Sequence, residues 1–134
     1  MNKKRVDQWI PKAKEALEAV GIAEKGKISK GFRGQIASFG AAVVMGSFKS
    51  AVAFFSKNGG SKTEREKLVE AMYFVIKGEK KEASAILDEI CKSSANDWKS
   101  DFIDASIAIK LAMNFFELTT KEGDASNAKS ESAV

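Results

Sequence analysis

From Val6 to Phe116 the apolar residues of this 134-residue chain recur at spacings of three and four, in runs separated by glycine and serine. That period places them on one stripe of an α-helix, whereas a half-buried strand needs a period of two. Stripes of this kind can be buried only against one another. The spacing therefore predicts an all-α fold, a single compact bundle of five to six helices over residues 1–120 with no convincing β alternation.

The first stripe is Val6, Trp9, Ile10, Ala13, Ala16, Leu17 and Val20, in a helix expected over Arg5–Val20 that Gly21 terminates. Pro11 either bends this helix or marks its true first turn. Residues 22–35 carry glycine at 26, 31 and 34 and read as a basic loop between helices, with Ser29 or the turn at Gly31 able to start the next one. From Arg33 the chain is apolar on most sides (Ile36, Ala37, Phe39, Gly40, Ala41, Val43, Val44), which predicts a helix surrounded by others. Gly46-Ser47 breaks it, and a helix over Phe48–Lys57 ends at Asn58-Gly59-Gly60.

Ser61-Lys62-Thr63-Glu64 has capping-box spacing and introduces a helix to about Ile76, with Leu68, Ala71, Met72 and Val75 inward. After Gly78 a shorter helix over Glu79–Cys91 is expected to bury Ala83, Ile86, Leu87 and Ile90, with Cys91 continuing that stripe as a core or boundary thiol. Ser94 to Asp97 is a weaker box ahead of the last helix, whose stripe is Trp98, Phe102, Ala105, Ile109, Ala112, Met113 and Phe116. Residues 121–134 offer nothing large and apolar and are expected to be a disordered polar tail.

The residues needed for most catalysis are missing. There is no histidine and one cysteine, which leaves no internal disulfide and no histidine metal ligand, and points to a reducing, cytoplasmic setting. Asp97, Asp101 and Asp104 share a helix face, as do Glu66 and Glu70, and either set is a conceivable Mg²⁺ site; the simpler expectation is the solvated side of a helix. The reading is a non-enzyme without cofactor or metal. The apolar run 36–55 is long enough to span a bilayer but contains Ser38, Gly40, Gly46, Ser47, Lys49 and Ser50, so no membrane span is expected.

Charge points to binding. Residues 1–62 hold 12 Lys and Arg against 4 Asp and Glu, a net of +8, and residues 63–134 hold 10 against 14, a net of −4. Lys25, Lys27, Lys30 and Arg33 fall within nine residues, and Gly31-x-x-Gly34 reads as a turn able to show Arg33 and backbone amides to an anion. Lys3, Lys4, Arg5, Lys12, Lys14 and Lys49 are the other basic candidates. Such a half suits either nucleic-acid phosphates or the acidic half of a neighbouring copy. Because the aromatics mostly fall on core stripes, phosphate contact with little base specificity is expected.

Phe32-Arg33-Gly34-Gln35-Ile36-Ala37-Ser38-Phe39-Gly40, then Gly46 and Ser50-Ala51-Val52-Ala53-Phe54-Phe55-Ser56, with the opening Lys4-Arg5-Val6-Asp7-Gln8-Trp9-Ile10, resembles the small all-helical subunit of type III-B CRISPR RNA-guided effector complexes, the Cmr-module small subunit. The resemblance spans roughly residues 3–117. It implies a non-catalytic subunit of an antiviral-defence ribonucleoprotein that stacks with copies of itself and with backbone subunits and helps hold crRNA or single-stranded target RNA, as the guide–target duplex or the target strand. By position, Arg33 and its neighbours match the motif after the first loop, and Lys3, Lys4 and Arg5 match the basic start.

Overall fold

Asn2 opens the first helix, α1 (Lys3–Ala19): its side-chain oxygen accepts the Arg5 amide at 3.0 Å, as an N-cap should. The structure, a computed structural model, describes residues 2–56, 64–92 and 97–119. The helix runs through Pro11, so Pro11 is not its first turn. The ring lies on the exposed side, where the Asp7 carbonyl that loses its donor faces water. Val6, Ala13, Ala16 and Leu17 are buried. Gly21, at φ 83°, ends the helix in a Schellman motif: Ile22 N–H donates to the Leu17 carbonyl at 3.0 Å and Gly21 N–H to the Glu18 carbonyl at 3.3 Å.

The segment expected as a basic loop is a β-hairpin instead. β1 (Ala23–Glu24) pairs antiparallel with β2 (Lys27–Ser29), and β3 (Glu117–Thr119) joins β2 in parallel, Ile28 facing Leu118. β1 and β2 bury one residue each, Ala23 and Ile28, and β3 none, so there is no alternation for a period of two to register.

Ser29 caps α2 (Lys30–Met45), so Gly31 and Gly34 are helical and not a turn. Only Phe32, Ile36, Phe39 and Val43 of this helix are buried. Val44 is 82 % exposed and Met45 87 %, which corrects the expectation of a surrounded helix. Gly46-Ser47 breaks the chain as expected, and Ser47 Oγ accepts the Ser50 amide at 3.1 Å in the first turn of α3 (Phe48–Ser56).

The surrounded helix is α4 (Glu64–Lys77). It packs against α1, α2, α3, α5 (Ala83–Lys92) and α6 (Asp97–Ala112), and every residue from Leu68 to Tyr73 is buried. Glu66 and Glu70 are therefore not on a solvated face. Glu70 Oε2 accepts the Ala83 amide at 3.1 Å, so a buried carboxylate satisfies the start of α5.

In α5, Ala83, Ile86 and Ile90 are buried while Cys91 is exposed, one residue and hence about 100° beyond the stripe. In α6, Phe102, Ala105, Ile109 and Ala112 line the core. Phe102 meets Phe39, Phe48 and Trp98 with ring centroids 6.4, 5.4 and 5.8 Å apart, and Phe39 stands edge-on to Phe55 at 5.2 Å. These rings join α2, α3 and α6 into one core. A 3-10 turn, Met113–Phe115, links α6 to β3 where the sequence suggested continued α-helix.

The expected breaks and caps at Asn58-Gly59-Gly60, Ser61 and Ser94 and the tail after residue 120 lie outside the described residues. Among the described residues no helix is long and apolar enough to cross a membrane.

Candidate nucleic-acid interface

The fold divides the basic candidates into separate groups. α1 has 17 residues and is about 25 Å long at 1.5 Å per residue, so Lys3 and Lys4, exposed in its first turn, stand far from the hairpin beyond its last turn. Lys12 lies on its exposed side between them. Lys49, exposed in the first turn of α3, follows the opposite end of α2 from Lys30.

Arg5 is engaged within the fold and partly exposed. Its Nε and Nη2 reach Asp104 Oδ2 at 2.9 and 2.7 Å, Nη1 reaches Asp101 Oδ1 at 2.7 Å, and Nη2 reaches Ser100 Oγ at 3.1 Å. The guanidinium also lies 4.7 Å from the centroid of the Trp9 ring. Partial desolvation opposes its charge, but the hydrogen bonds and field of Asp104 and Asp101 outweigh that and hold its pKa above the ordinary arginine value. The same contacts overturn the solvated-face expectation for the aspartates: Asp104 is 1 % exposed, and both it and Asp101 serve Arg5. Part of the charge asymmetry between the halves is thus neutralised inside the fold. Among the described residues no group of His, Cys, Asp or Glu is placed to hold a metal ion.

What the structure does bring together is Lys25, Lys27, Lys30 and Arg33. The hairpin turn consists of Lys25 and Gly26, at φ 54° and 78°, both in the left-handed region that a two-residue type I′ turn requires. Lys25 therefore sits at the apex of the hairpin. Glycine or asparagine takes this backbone more readily, whereas an ordinary L-residue there costs about 1 kcal/mol. Lys25→Asn is expected to raise stability by roughly that amount, read as a higher urea midpoint at unchanged slope.

Lys27 is flanked across the strands by Glu24 on β1 and Glu117 on β3, which dilutes its field. Lys25, Lys27 and Lys30 are exposed, and none forms an ion pair with a described residue. Lys30 and Arg33 lie within the first turn of α2. The N-terminal turn of that helix already faces an internal anion: a Cβ on Gly31 would stand 2.9 Å from both carboxylate oxygens of Glu64. The expectation that Gly31-x-x-Gly34 shows its amides to an outside anion is corrected accordingly, and the cationic side chains remain as the attracting groups.

Two residues that sequence reasoning passed over complete this end of the bundle. Asn114 Oδ1 accepts from Arg33 Nη1 at 2.9 Å, and the Phe115 ring, 62 % exposed, lies 5.8 Å from Lys14 Nζ. The 3-10 turn after α6 thus lies between α1 and α2 and touches a cation on each. The signal was the Asn114-Phe115-Phe116 run, whose adjacent aromatics point about 100° apart on a helix.

A second charged cluster lies elsewhere. Tyr73, Lys77, Glu79, Lys81, Asp88, Glu89 and Lys92 line an open cleft between α4 and α5. Lys81 is hydrogen-bonded to Glu89 and, at 3.4 Å, to the Tyr73 hydroxyl, and Lys77 lies over Trp98. The Lys81 hydrogen bond holds the Glu89 carboxyl below the usual range against a smaller opposing desolvation. Acids and bases here answer one another, whereas Lys25 and Lys30 at the hairpin end are exposed and form no ion pair with a described residue. Compared with known proteins, the chain matches no family model, no curated protein and no solved structure.

Proposed function

We propose that this chain is a non-catalytic binding module that holds RNA by its phosphates through Lys25, Lys30 and Arg33, with Lys27 and Lys14 assisting. The observation that carries this is the gathering of exposed lysines and the half-buried Arg33 on one hairpin and the adjoining helix turn, without carboxylate partners in ion pairs among the described residues. The proposed setting, as the small subunit of a type III-B CRISPR effector in contact with backbone subunits and further copies of itself, rests on the sequence resemblance alone. Many residues that carry the resemblance, Phe32, Ile36, Phe39, Ala51, Val52 and Phe55, are core residues here. They speak to packing more than to ligand, so the RNA contact has to stand on the hairpin.

Three phosphate contacts to a single strand give a log–log salt slope near −2, and affinity for a short unstructured RNA is expected to fall about 20-fold between 50 and 200 mM salt. Fluorescence anisotropy across that range is the measurement, and a flat response would remove the electrostatic basis. The second reading is an assembly subunit with no RNA contact. Val44 and Met45, large apolar side chains exposed at the far end of α2, favour a protein neighbour there. That contact leaves the hairpin end open and is compatible with both readings.

A further inference from the structure

We infer that Phe115 is a base-stacking platform, so that the hairpin end takes single-stranded nucleic acid in preference to base-free polyanions or duplexes. This rests on the proposed phosphate binding and narrows it to a class of ligand.

Phe115 closes the 3-10 turn at the end of α6. Its neighbours Met113 and Phe116 take the inward positions, and the tight turn leaves Phe115 outward at 62 % exposure. Leu111, one helical turn earlier, is 42 % exposed and extends the apolar surface. Trp9 and Phe54 also lie against cations, Arg5 and Arg65 each 4.7 Å from the ring centroid, whereas Phe115 stands beside the hairpin, with Lys14 Nζ 5.8 Å from its centroid. On the neighbouring residue Arg33 holds Asn114 at 2.9 Å. Glu117, two residues on, pairs with Lys27, and its amide donates to the Gly26 carbonyl at 2.8 Å, which ties the ring's segment to the hairpin apex.

An exposed ring bordered by cations matches the two parts of a nucleotide. The ring offers a flat π-face to a base, and a neighbouring ammonium or guanidinium meets the phosphate one sugar away. A lysine lying over an exposed ring is displaceable, and its charge stays close enough to pair with the phosphate of the base that replaces it. An acidic peptide would use the same cations but would leave the ring without a planar partner. Duplex RNA would present phosphates with its bases already stacked.

The test uses the full chain with a short unstructured RNA, its annealed duplex, inorganic polyphosphate and poly-glutamate as probes. Phe115→Ala is expected to weaken single-stranded RNA binding about 5-fold or more while leaving polyphosphate binding and the salt slope unchanged. Phe115→Trp is expected to retain RNA affinity. Its added fluorescence, over the wild-type background of Trp9 and Trp98, should be quenched by RNA and not by polyphosphate. If Phe115→Ala binds RNA as the wild type does, or loses RNA and polyphosphate equally, the stacking role is overturned and the phosphate reading survives. If the wild type binds neither RNA nor polyphosphate, or prefers poly-glutamate, both fall. Because the ring is exposed, the variants should melt with the wild type, and the quenching readout does not depend on the truncation.

Discussion

Arg5→Ala is expected to lower stability by about 3 kcal/mol, and with it the melting temperature by about 10 °C. The reason lies in the partner left behind. Asp104 is 1 % exposed, and its Oδ2 takes two hydrogen bonds from Arg5 and a longer one, 3.4 Å, from the Asn2 amide. Its Oδ1 has no hydrogen-bond partner. Without the guanidinium this carboxylate stays buried with little to replace the water it gave up, and that desolvation is the larger part of the loss. Asp104→Ala is expected to cost less. Arg5 is partly exposed, keeps Asp101 at 2.7 Å, and can turn toward water. The double variant should recover part of the Arg5→Ala loss, and the coupling is read from a double-mutant cycle in urea. Arg5→Lys should not rescue, because one ammonium cannot serve Asp101, Asp104 and Ser100 together while lying over Trp9. A loss below about 1 kcal/mol for Arg5→Ala would show the pair to be an ordinary surface contact.

This pair also marks the limit of what local sequence pattern encodes. The stripes of α1, α4 and α6 were legible because each repeats its period over several turns: Val6, Ala13 and Leu17, or Phe102, Ala105, Ile109 and Ala112, are buried as their spacing predicts. Arg5 and Asp104, 99 residues apart, belong to two helices whose adjacency no local pattern encodes, so Arg5 read as a free cation and Asp104 as a wet carboxylate. The hairpin was missed for a different reason. Its turn carries Lys-Gly where Asn-Gly is the strong signal, and its strands are too short to alternate. In α2 the small and apolar residues that predicted enclosure describe only what a neighbour would tolerate. The neighbours stop short, so Val44 and Met45 are exposed while α4, with its two buried glutamates, occupies the centre.

The candidate site shows the same division. The cluster Lys25, Lys27, Lys30 and Arg33 was visible in sequence because it is local. Its separation from Lys3, Lys4, Lys12 and Lys49 follows from the lengths of α1 and α2, and the presence of Asn114 and Phe115 from the return of the chain to the hairpin as β3. The positive half is therefore not one positive face, and the hairpin end is where a binding experiment should be aimed.

Reversing Lys25, Lys30 and Arg33 together to glutamate is expected to abolish RNA binding at physiological salt while the fold survives. Nonspecific affinity for a phosphate backbone is almost wholly electrostatic, so it falls steeply when cations become anions. The variant leaves Lys27 between Glu24 and Glu117, Lys14 beside Phe115, and three new carboxylates on the hairpin and the helix turn, a surface that repels phosphate. Folding should tolerate it. Lys25 and Lys30 are exposed and without ion pairs to described residues, and Arg33 gives up one hydrogen bond to Asn114. Near-wild-type melting is the check. Because Glu64 already sits at the start of α2, a new glutamate at position 30 adds a like charge close to it, and a small stability loss from that source should shrink as salt is raised. The same variant separates the two functional readings. Failure to bind RNA, with any association to protein partners intact, is the outcome expected here, because the proposed protein contact lies at the Val44 and Met45 end. Failure to associate, with RNA binding retained, would make the hairpin a protein-docking element and the lysines partners of an acidic neighbour.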